Sequence, residues 1–225
     1  MTTQSTTATF LGRSGKVYTF ENTAVTDGTA GEEMLSGPSP YALTAQSLGD
    51  YAQDDVLVAG LVSAQTNCGV AYISYGGEIV STLPITAFSV SNMMQPLVKP
   101  VMIRAGMVLQ VVTHVVATTQ YYLAVECASQ AHVFGYTSSG AGTGNFTSIL
   151  TGQNIGRVLK QPIQCAYVTG PADTTAAPNG AIFVNGAGTP VGIVPLSLSS
   201  KAQPMYTKFQ IPVDLNTVAQ VVADA

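Results

Sequence analysis

Strand-like runs of residues separated by short polar turns dominate this chain, and the densest of them extends from Val101 to Cys127. Its alternation of side chains predicts three strands joined by tight turns, over residues 101–104, 107–117 and 121–127. Both faces of the second strand are mostly apolar, so we expect water to reach little of either face. The third strand carries one carboxylate, Glu126, which indicates that its face is half exposed or lies at an interface.

The same criteria predict about a dozen short strands along the chain, with turn signals every roughly 8 to 15 residues. Gly76–Gly77, for example, is predicted to join strands over 69–75 and 78–81 in a two-residue hairpin. No internal repeat is evident. An all-β chain of this kind is typical of a β-sandwich of jelly-roll or Greek-key type.

The two ends of the chain differ from this pattern. Residues 1–50 are polar and are interrupted by glycine and proline, so we expect an extended N-terminal arm before a β-sandwich domain over residues 51–225. The arm contains one apolar island, Phe10–Phe20, which must bury its side chains either on a neighbouring molecule or as an integral strand of its own domain. At the other end, Asp214 is a candidate N-cap for a short helix with an apolar face at Leu215, Val218, Ala219 and Val222.

The composition favours association with other chains. Only 9% of the residues are charged, against about 25% in an average soluble domain, so much of the surface must be neutral or covered by a partner. The net charge is −4, and the eight Lys and Arg residues are scattered, which argues against direct nucleic-acid binding. No window reaches the roughly 18–20 apolar residues of a membrane span. The N-terminus has no signal-peptide pattern, so we expect synthesis in the host cytoplasm.

Residues that could carry chemistry are few. Three cysteines, Cys68, Cys127 and Cys165, lie far apart, and we interpret them as free, buried thiols in a reducing compartment. His114 and His132 are the only histidines, and neither forms a short-spaced ligand pair with a cysteine. We therefore expect no bound metal and no other cofactor.

Short motifs do not indicate an enzyme either. Ser14-Gly15-Lys16 matches the end of a phosphate-binding loop, but Phe10 stands where the first glycine belongs and Val17 where Ser or Thr should follow the lysine. The chain contains no Gly-x-Ser-x-Gly. Asp54–Asp55 is interpreted as a solvated turn. We expect neither catalysis nor a small-molecule substrate.

The stretch FLGRSGKVYTF at residues 10–20 resembles an N-terminal segment of head decoration, or cement, proteins of tailed bacteriophages. The matching residues are Phe10, Leu11, Gly12, Arg13, Ser14, Gly15, Lys16, Tyr18 and Thr19. The resemblance implies a virion protein that sits as a homotrimer on the capsid surface, contacts the major capsid protein and stabilises the shell.

No functional residue is carried over by the resemblance, because the role of such proteins resides in surfaces. The candidate interaction segment is the apolar island with its basic turn, at Phe10, Leu11, Arg13, Lys16, Tyr18 and Phe20. Two alternatives stay open, a jelly-roll capsid subunit and a carbohydrate-binding or adhesin β-sandwich module. The first usually carries a basic arm for the genome, and the second usually presents exposed aromatic side chains; here Trp is absent.

Overall fold

A computed structural model of the chain describes residues 3–26, 29–36, 44–64, 69–87, 93–113, 120–137, 144–170, 178–198 and 210–223. The chain is all β, as the sequence predicts. Both helices found in the described residues are single turns, and neither has the length that a membrane crossing needs. The elements are, in order, β1 (Thr3–Gly12), β2 (Val17–Thr26), β3 (Glu32–Ser36), α1 (Leu48–Tyr51), β4 (Val56–Ala64), β5 (Gly69–Tyr75), β6 (Glu78–Ala87), β7 (Gln95–Met102), β8 (Val108–Thr113), β9 (Gln120–Glu126), β10 (Ala131–Thr137), β11 (Thr147–Ser148), α2 (Ile155–Val158), β12 (Cys165–Gly170), β13 (Pro178–Val184), β14 (Pro190–Leu198) and β15 (Val218–Ala223).

The strands β1 to β8 form one sheet that closes on itself. Its order is β1-β2-β3-β8-β5-β6-β4, and β4 pairs back onto β1, so seven strands make a ring. β7 pairs with β4 next to the short parallel pairing of β4 with β6. Alternation sends every second side chain into the ring; in β2, Tyr18 and Phe20 are buried whereas Val17 and Thr19 are exposed. We call this unit, residues 3–113, the first barrel.

The strands β9 to β15 form a second sheet, which also closes. Its order is β11-β10-β9-β12-β14-β13-β15. The segment just before β11 joins the two ends, because Phe146 N–H donates to the Ala219 carbonyl at 2.8 Å and Val221 N–H donates to the Gly144 carbonyl at 2.9 Å. The apolar core inside this ring includes Tyr121, Leu123, Phe134, Phe146 and Phe183. We call this unit, residues 120–223, the second barrel.

The two barrels repeat one arrangement. Starting from β9, the order around the second ring is β9-β10-β11-β15-β13-β14-β12, which matches the order of the first ring strand by strand. The registers agree as well: Ala71 pairs with Val111, and Ala181 pairs with Val221, so both partners are shifted by 110 positions. Among the described residues, each barrel has one parallel pair, β4–β6 or β12–β14. The chain is therefore a tandem repeat of one barrel, and the expectation that it has no internal repeat is wrong.

One backbone contact, found in both barrels, ties the helical turn to the start of the last strand. Gly49 N–H donates to the Met107 carbonyl at 2.7 Å, and Gly156 N–H donates to the Thr217 carbonyl at 2.9 Å. A Cβ on Gly49 would lie 2.8 Å from Met107 N, and a Cβ on Gly156 would lie 2.7 Å from Thr217 N. Only glycine lets the backbones approach so closely, which explains why both turns have glycine at their second position.

The barrels meet through unlike faces. We call the outer side of β5, β6 and β8 the closing face of the first barrel, and its counterpart on the second barrel is formed by β13, β14 and β15. We call the outer side of β9, β10 and β12 the hairpin face of the second barrel, and its counterpart on the first is formed by β1, β2 and β4. The closing face of the first barrel packs on the hairpin face of the second in a buried cluster of Val70, Tyr72, Ile79, Val112, Tyr122, Ala124, Ala131, Val133 and Tyr167.

Two expectations about the architecture need correction at the N-terminal end and in the middle of the chain. Residues 3–36 hold three strands of the first ring, so the described part of residues 1–50 is not an extended arm. Phe10 and Phe20 point into their own barrel and are at most 1% exposed. The strands are also shared between two closed sheets instead of forming one sandwich over residues 51–225. The dense run at 101–127 contains β8, which belongs to the first barrel, and β9, which belongs to the second.

The predicted C-terminal helix is a strand. Asp214 does accept local hydrogen bonds, from Asn216 N–H at 2.9 Å and Thr217 Oγ1 at 3.1 Å, but they close a turn. Residues 218–223 then pair with β13 as β15. The valines of this segment favour a strand, and pairing with β13 satisfies its backbone groups in the sheet.

Removing residues 1–47 deletes three of the seven strands of the first ring. We expect a chain that begins at Leu48 to lose the cooperative unfolding of the first barrel, because β4 and β8 would lose the neighbours that close the ring. A chain that begins at Thr3 is the matched control and should unfold like the full chain. Circular dichroism melting measures both, and a shortened chain that melts within a few degrees of the full chain would show that β1 to β3 are dispensable.

Candidate functional site

The six residues of the predicted interaction segment divide into core and surface. Phe10, Tyr18 and Phe20 are buried in the first barrel, and the rings of Phe10 and Phe20 meet edge to face with centroids 6.1 Å apart. Leu11 lies half-buried on the hairpin face. Arg13 and Lys16 are exposed in the turn between β1 and β2. Only the basic turn and Leu11 are therefore available to a partner.

A carboxylate that the sequence analysis assigned to a solvated turn organises this hairpin. Asp55 Oδ1 accepts from Ser14 N–H at 3.2 Å and from Val56 N–H at 2.7 Å. Asp55 Oδ2 accepts from the Ser14 hydroxyl and from Tyr18 Oη at 2.9 Å. We call Ser14, Tyr18, Asp55 and the adjoining Gly12 the Asp55 cluster.

The glycines of the motif have separate roles in this cluster. A Cβ on Gly12 would lie 2.7 Å from Asp55 Cγ, so the carboxylate can approach the hairpin only where there is no side chain. Gly15 has a φ of 86°, a left-handed conformation that closes the turn and favours glycine. The segment Gly12-Arg13-Ser14-Gly15 is thus a structural motif that presents Arg13 and Lys16 at the tip of the hairpin.

Hydrogen bonding decides the ionisation of the Asp55 cluster. The hydrogen bond from the Ser14 side chain, with further ones from Tyr18 and the backbone, lowers the pKa of Asp55 to about 2 despite partial burial. Burial and the neighbouring Asp55 carboxylate raise the pKa of Tyr18. Asp55 is therefore a stable anion and Tyr18 a stable donor near neutral pH, which suits a structural role.

The second barrel holds the equivalent hairpin in another way. Ser129 N–H and Oγ both donate to Gln161 Oε1, at 3.3 and 3.2 Å, so a neutral amide takes the place of the Asp55 carboxylate. Cys127 occupies the position of Gly12, and burial raises the pKa of its thiol to about 11. Cys127 and Cys165 are both buried and free, as the sequence predicts, whereas Cys68 lies outside the described residues.

A second carboxylate, Glu126, lies in the contact between the barrels. It is 1% exposed, and its Oε1 accepts from Thr82 N–H at 2.9 Å and Thr82 Oγ1 at 3.0 Å. No donor in the described residues reaches Oε2. Burial raises the pKa of Glu126, although the Thr82 hydrogen bonds and the charge of Lys99 act in the opposite direction. The sequence left two environments open for the strand face that carries Glu126, half exposed or at an interface. In the structure this face lies at the interface between the barrels.

The remaining candidates do not converge on a metal site in the described part of the chain. His132 Nε2 lies 2.9 Å from Gln130 Oε1, and burial lowers its pKa. His114 lies outside the described residues. No group of three or more His, Cys, Asp and Glu side chains among the described residues could hold a metal. A shallow groove of about 270 Å³ is lined by Lys99 and Arg104 of the first barrel and Ser129 of the second, with apolar neighbours.

An exposed apolar strip is the surface feature that the sequence analysis missed. The outward positions of β7 are all apolar and exposed, and Met94 just before the strand is exposed as well. We call this set the β7 strip, and it consists of Met94, Pro96, Val98, Pro100 and Met102. The alternation of Gln95–Met102 could have revealed it, but prolines at every fourth position concealed the strand.

Comparisons of the chain with protein-family models, curated proteins and solved structures find no match.

Replacing Asp55 by Asn tests the cluster. We expect the melting temperature of the Asp55→Asn variant to fall at pH 7, because the amide cannot accept all four hydrogen bonds. Since the folded-state pKa of Asp55 lies below its ordinary value, its contribution is present above pH 4 and is lost as the pH falls towards 2. The difference between the variant and the wild type should therefore shrink over that range.

Two comparisons make this test specific. Asp54→Asn changes the neighbouring exposed carboxylate and should leave the melting temperature within a degree or two of the wild type. Gly12→Ala should destabilise the barrel by about 1–3 kcal/mol through overpacking. Equal melting temperatures for the Asp55→Asn and Asp54→Asn variants at pH 7 would contradict the role given to Asp55.

Replacing Glu126 by Gln should raise the melting temperature at neutral pH, whereas the Asp55→Asn substitution lowers it. The raised pKa means that ionisation of Glu126 favours the unfolded chain, so wild-type stability should decline as the pH rises above about 4.5, the ordinary value, until the folded-state pKa is passed. Glutamine keeps an oxygen for Thr82 without the charge. A gain of about 1 kcal/mol would raise the melting temperature by about 2–4 °C. Glu33→Gln, at an exposed site, is the control, and a variant less stable than the wild type at pH 7 would contradict the argument.

Proposed function

We propose that the protein is a viral structural protein, a decoration or cement protein that binds the outside of a tailed-phage head and stabilises the shell. The observation that carries this proposal is the β7 strip, because a continuous run of exposed apolar side chains marks a surface that another protein covers. The resemblance at residues 10–20 supplies the kind of partner, the major capsid protein. The low charge of the chain is compatible with a surface that is largely covered on a virion.

The β7 strip suits contact through side chains. Pro96 and Pro100 have no N–H, so β7 cannot be extended by a regular ladder of hydrogen bonds from a partner strand. Val98 and Met102 are 39% and 49% exposed, and methionine adapts its shape to uneven surfaces. The strip is therefore a surface for docking onto a shell and resists random edge-to-edge aggregation.

The basic turn lies at the same end of the first barrel. Arg13 N–H donates to the Val56 carbonyl at 2.8 Å, and Val56 pairs with Met102 at the end of the β7 strip. A capsid surface that presents apolar groups beside carboxylates would match this combination. The expected assembly on the shell is a homotrimer, which fits a protein placed where capsid subunits meet around three-fold positions.

Cosedimentation with empty tailed-phage heads stripped of their own decoration proteins tests this proposal. We expect the wild-type protein to pellet with heads of its phage, and the Met102→Glu variant and the Arg13→Gln/Lys16→Gln double variant to bind at least ten-fold more weakly. The controls on the second barrel are Leu150→Glu, which also replaces an exposed apolar side chain by Glu, and Arg157→Gln/Lys160→Gln; both should bind like the wild type. Absence of wild-type binding to every head tested, or equal binding by all four variants, would contradict the proposal.

A further inference from the structure

The repeat leaves one face of each type uncovered. Within the chain, the closing face of the first barrel packs on the hairpin face of the second. Among the described residues, therefore, no other face packs on the hairpin face of the first barrel or on the closing face of the second. Because the two barrels share the same strand order and register, positions in the buried contact can be matched one by one with positions on the two uncovered faces.

The hairpin face of the first barrel is neutral where it corresponds to the buried contact. The pairings of β9 with β10 and β12, and of β1 with β2 and β4, align the two faces residue by residue. This alignment matches five buried residues of the second barrel with residues of the first: Tyr122 with Thr7, Ala124 with Thr9, Ala131 with Val17, Val133 with Thr19, and Tyr167 with Leu61. Val17 is 56% exposed at the position where Ala131 is fully buried. None of these five positions carries a charge.

The closing face of the second barrel is apolar at the matching positions. Tyr72 pairs with Thr82 across β5 and β6, and Ile182 pairs with Ile193 across β13 and β14 in the same register. Thr82 is 1% exposed within the contact, whereas Ile193 is 55% exposed. Ile182 and Ile193 thus form an apolar pair on this face, at the positions that Tyr72 and Thr82 occupy in the contact inside the chain.

The two uncovered faces also complement each other. In the buried contact, Thr82 of the closing face donates to Glu126 of the hairpin face. The counterpart of Thr82 is Ile193, and the counterpart of Glu126 is Leu11, which pairs with Ala59 as Glu126 pairs with Cys165. Both members of the polar pair inside the chain, Thr82 and Glu126, are thus apolar residues on the two uncovered faces. If a second chain docked in the same way, Leu11 and Ile193 would meet where Glu126 and Thr82 meet within one chain.

From this complementarity we propose that copies of the chain associate head to tail: the closing face of the second barrel of one copy docks on the hairpin face of the first barrel of the next copy, repeating the contact inside the chain. Such an interface joins two different faces, so it propagates from copy to copy and closes into a ring when the rotation per copy divides the circle. A ring of three copies would contain six barrels in equivalent surroundings. This association involves the chain alone and does not depend on a capsid partner.

Light scattering coupled to size-exclusion chromatography tests the proposal. We expect the wild type to run as an oligomer at tens of micromolar, and the Val17→Glu and Ile193→Glu variants to run as monomers of 23.2 kDa with wild-type melting curves. Leu215→Glu, which changes another exposed apolar residue on the second barrel, should keep the wild-type mass.

Mixing the two interface variants distinguishes head-to-tail docking from a symmetric interface. Each variant keeps one intact face, so an equimolar mixture of Val17→Glu and Ile193→Glu chains should form a dimer through the closing face of the former and the hairpin face of the latter. An isologous interface would need the damaged residues on both sides and would give no such dimer. A wild-type monomer, or a mixture that stays monomeric, would overturn the proposal.

A transplanted residue pair tests the predicted register. Leu11→Glu alone should dissociate the oligomer, because it places an unpaired carboxylate in the contact. The double variant Leu11→Glu/Ile193→Thr recreates the Glu126–Thr82 pair between chains and should recover the oligomeric mass. Leu11→Glu/Leu215→Thr is the matched control and should remain a monomer. Recovery in both double variants, or in neither, would contradict the register.

Discussion

Burial of the face between the two barrels is the constraint on which the rest of the structure depends. Tyr72 comes from the first barrel, and Tyr122 and Tyr167 come from the second; each is at most 4% exposed. Aromatic side chains bury about 150–250 Å² each, so this contact removes enough apolar surface from water to hold the barrels in one orientation. That orientation determines which two faces stay open, and it also draws the carboxylate of Glu126 out of water.

The two organised carboxylates show how environment sets ionisation. Asp55 sits near the surface with several donors, and hydrogen bonding lowers its pKa to about 2. Glu126 sits between the barrels, where burial outweighs the donors from Thr82 and raises its pKa. The first therefore stabilises the fold as an anion, whereas the second carries an electrostatic cost near neutral pH. The hydrogen bonds from Thr82 favour one register between the barrels, because a shift would leave the carboxylate without these donors.

Repetition of the backbone is accompanied by divergence of side chains at equivalent places. The hairpin of the first barrel is held by Asp55 and the hairpin of the second by Gln161, although both hairpins are antiparallel and occupy equivalent places in their barrels. Glycine persists at Gly49 and Gly156, because the close approach of two backbones leaves no alternative. Contacts between backbones thus limit variation more strongly than contacts between side chains, and faces built from side chains are free to take on different partners.

The sequence by itself determined the class of structure and many of its local elements. Alternation and turn residues predicted the strand Gly69–Tyr75 with its Gly76–Gly77 turn, because these depend on neighbouring residues alone. Pairing across the chain decided the rest. The hydrogen bonds of Asp214 fit the start of a helix or a turn before a strand, and pairing with β13 adds to the preference of the valines and decides for the strand. The known registers likewise align VLQVV at 108–112 with VAQVV at 218–222 and so reveal the repeat. Which apolar faces are buried and which stay open is a property of how the barrels pack, since a pattern along one strand does not say what lies opposite it.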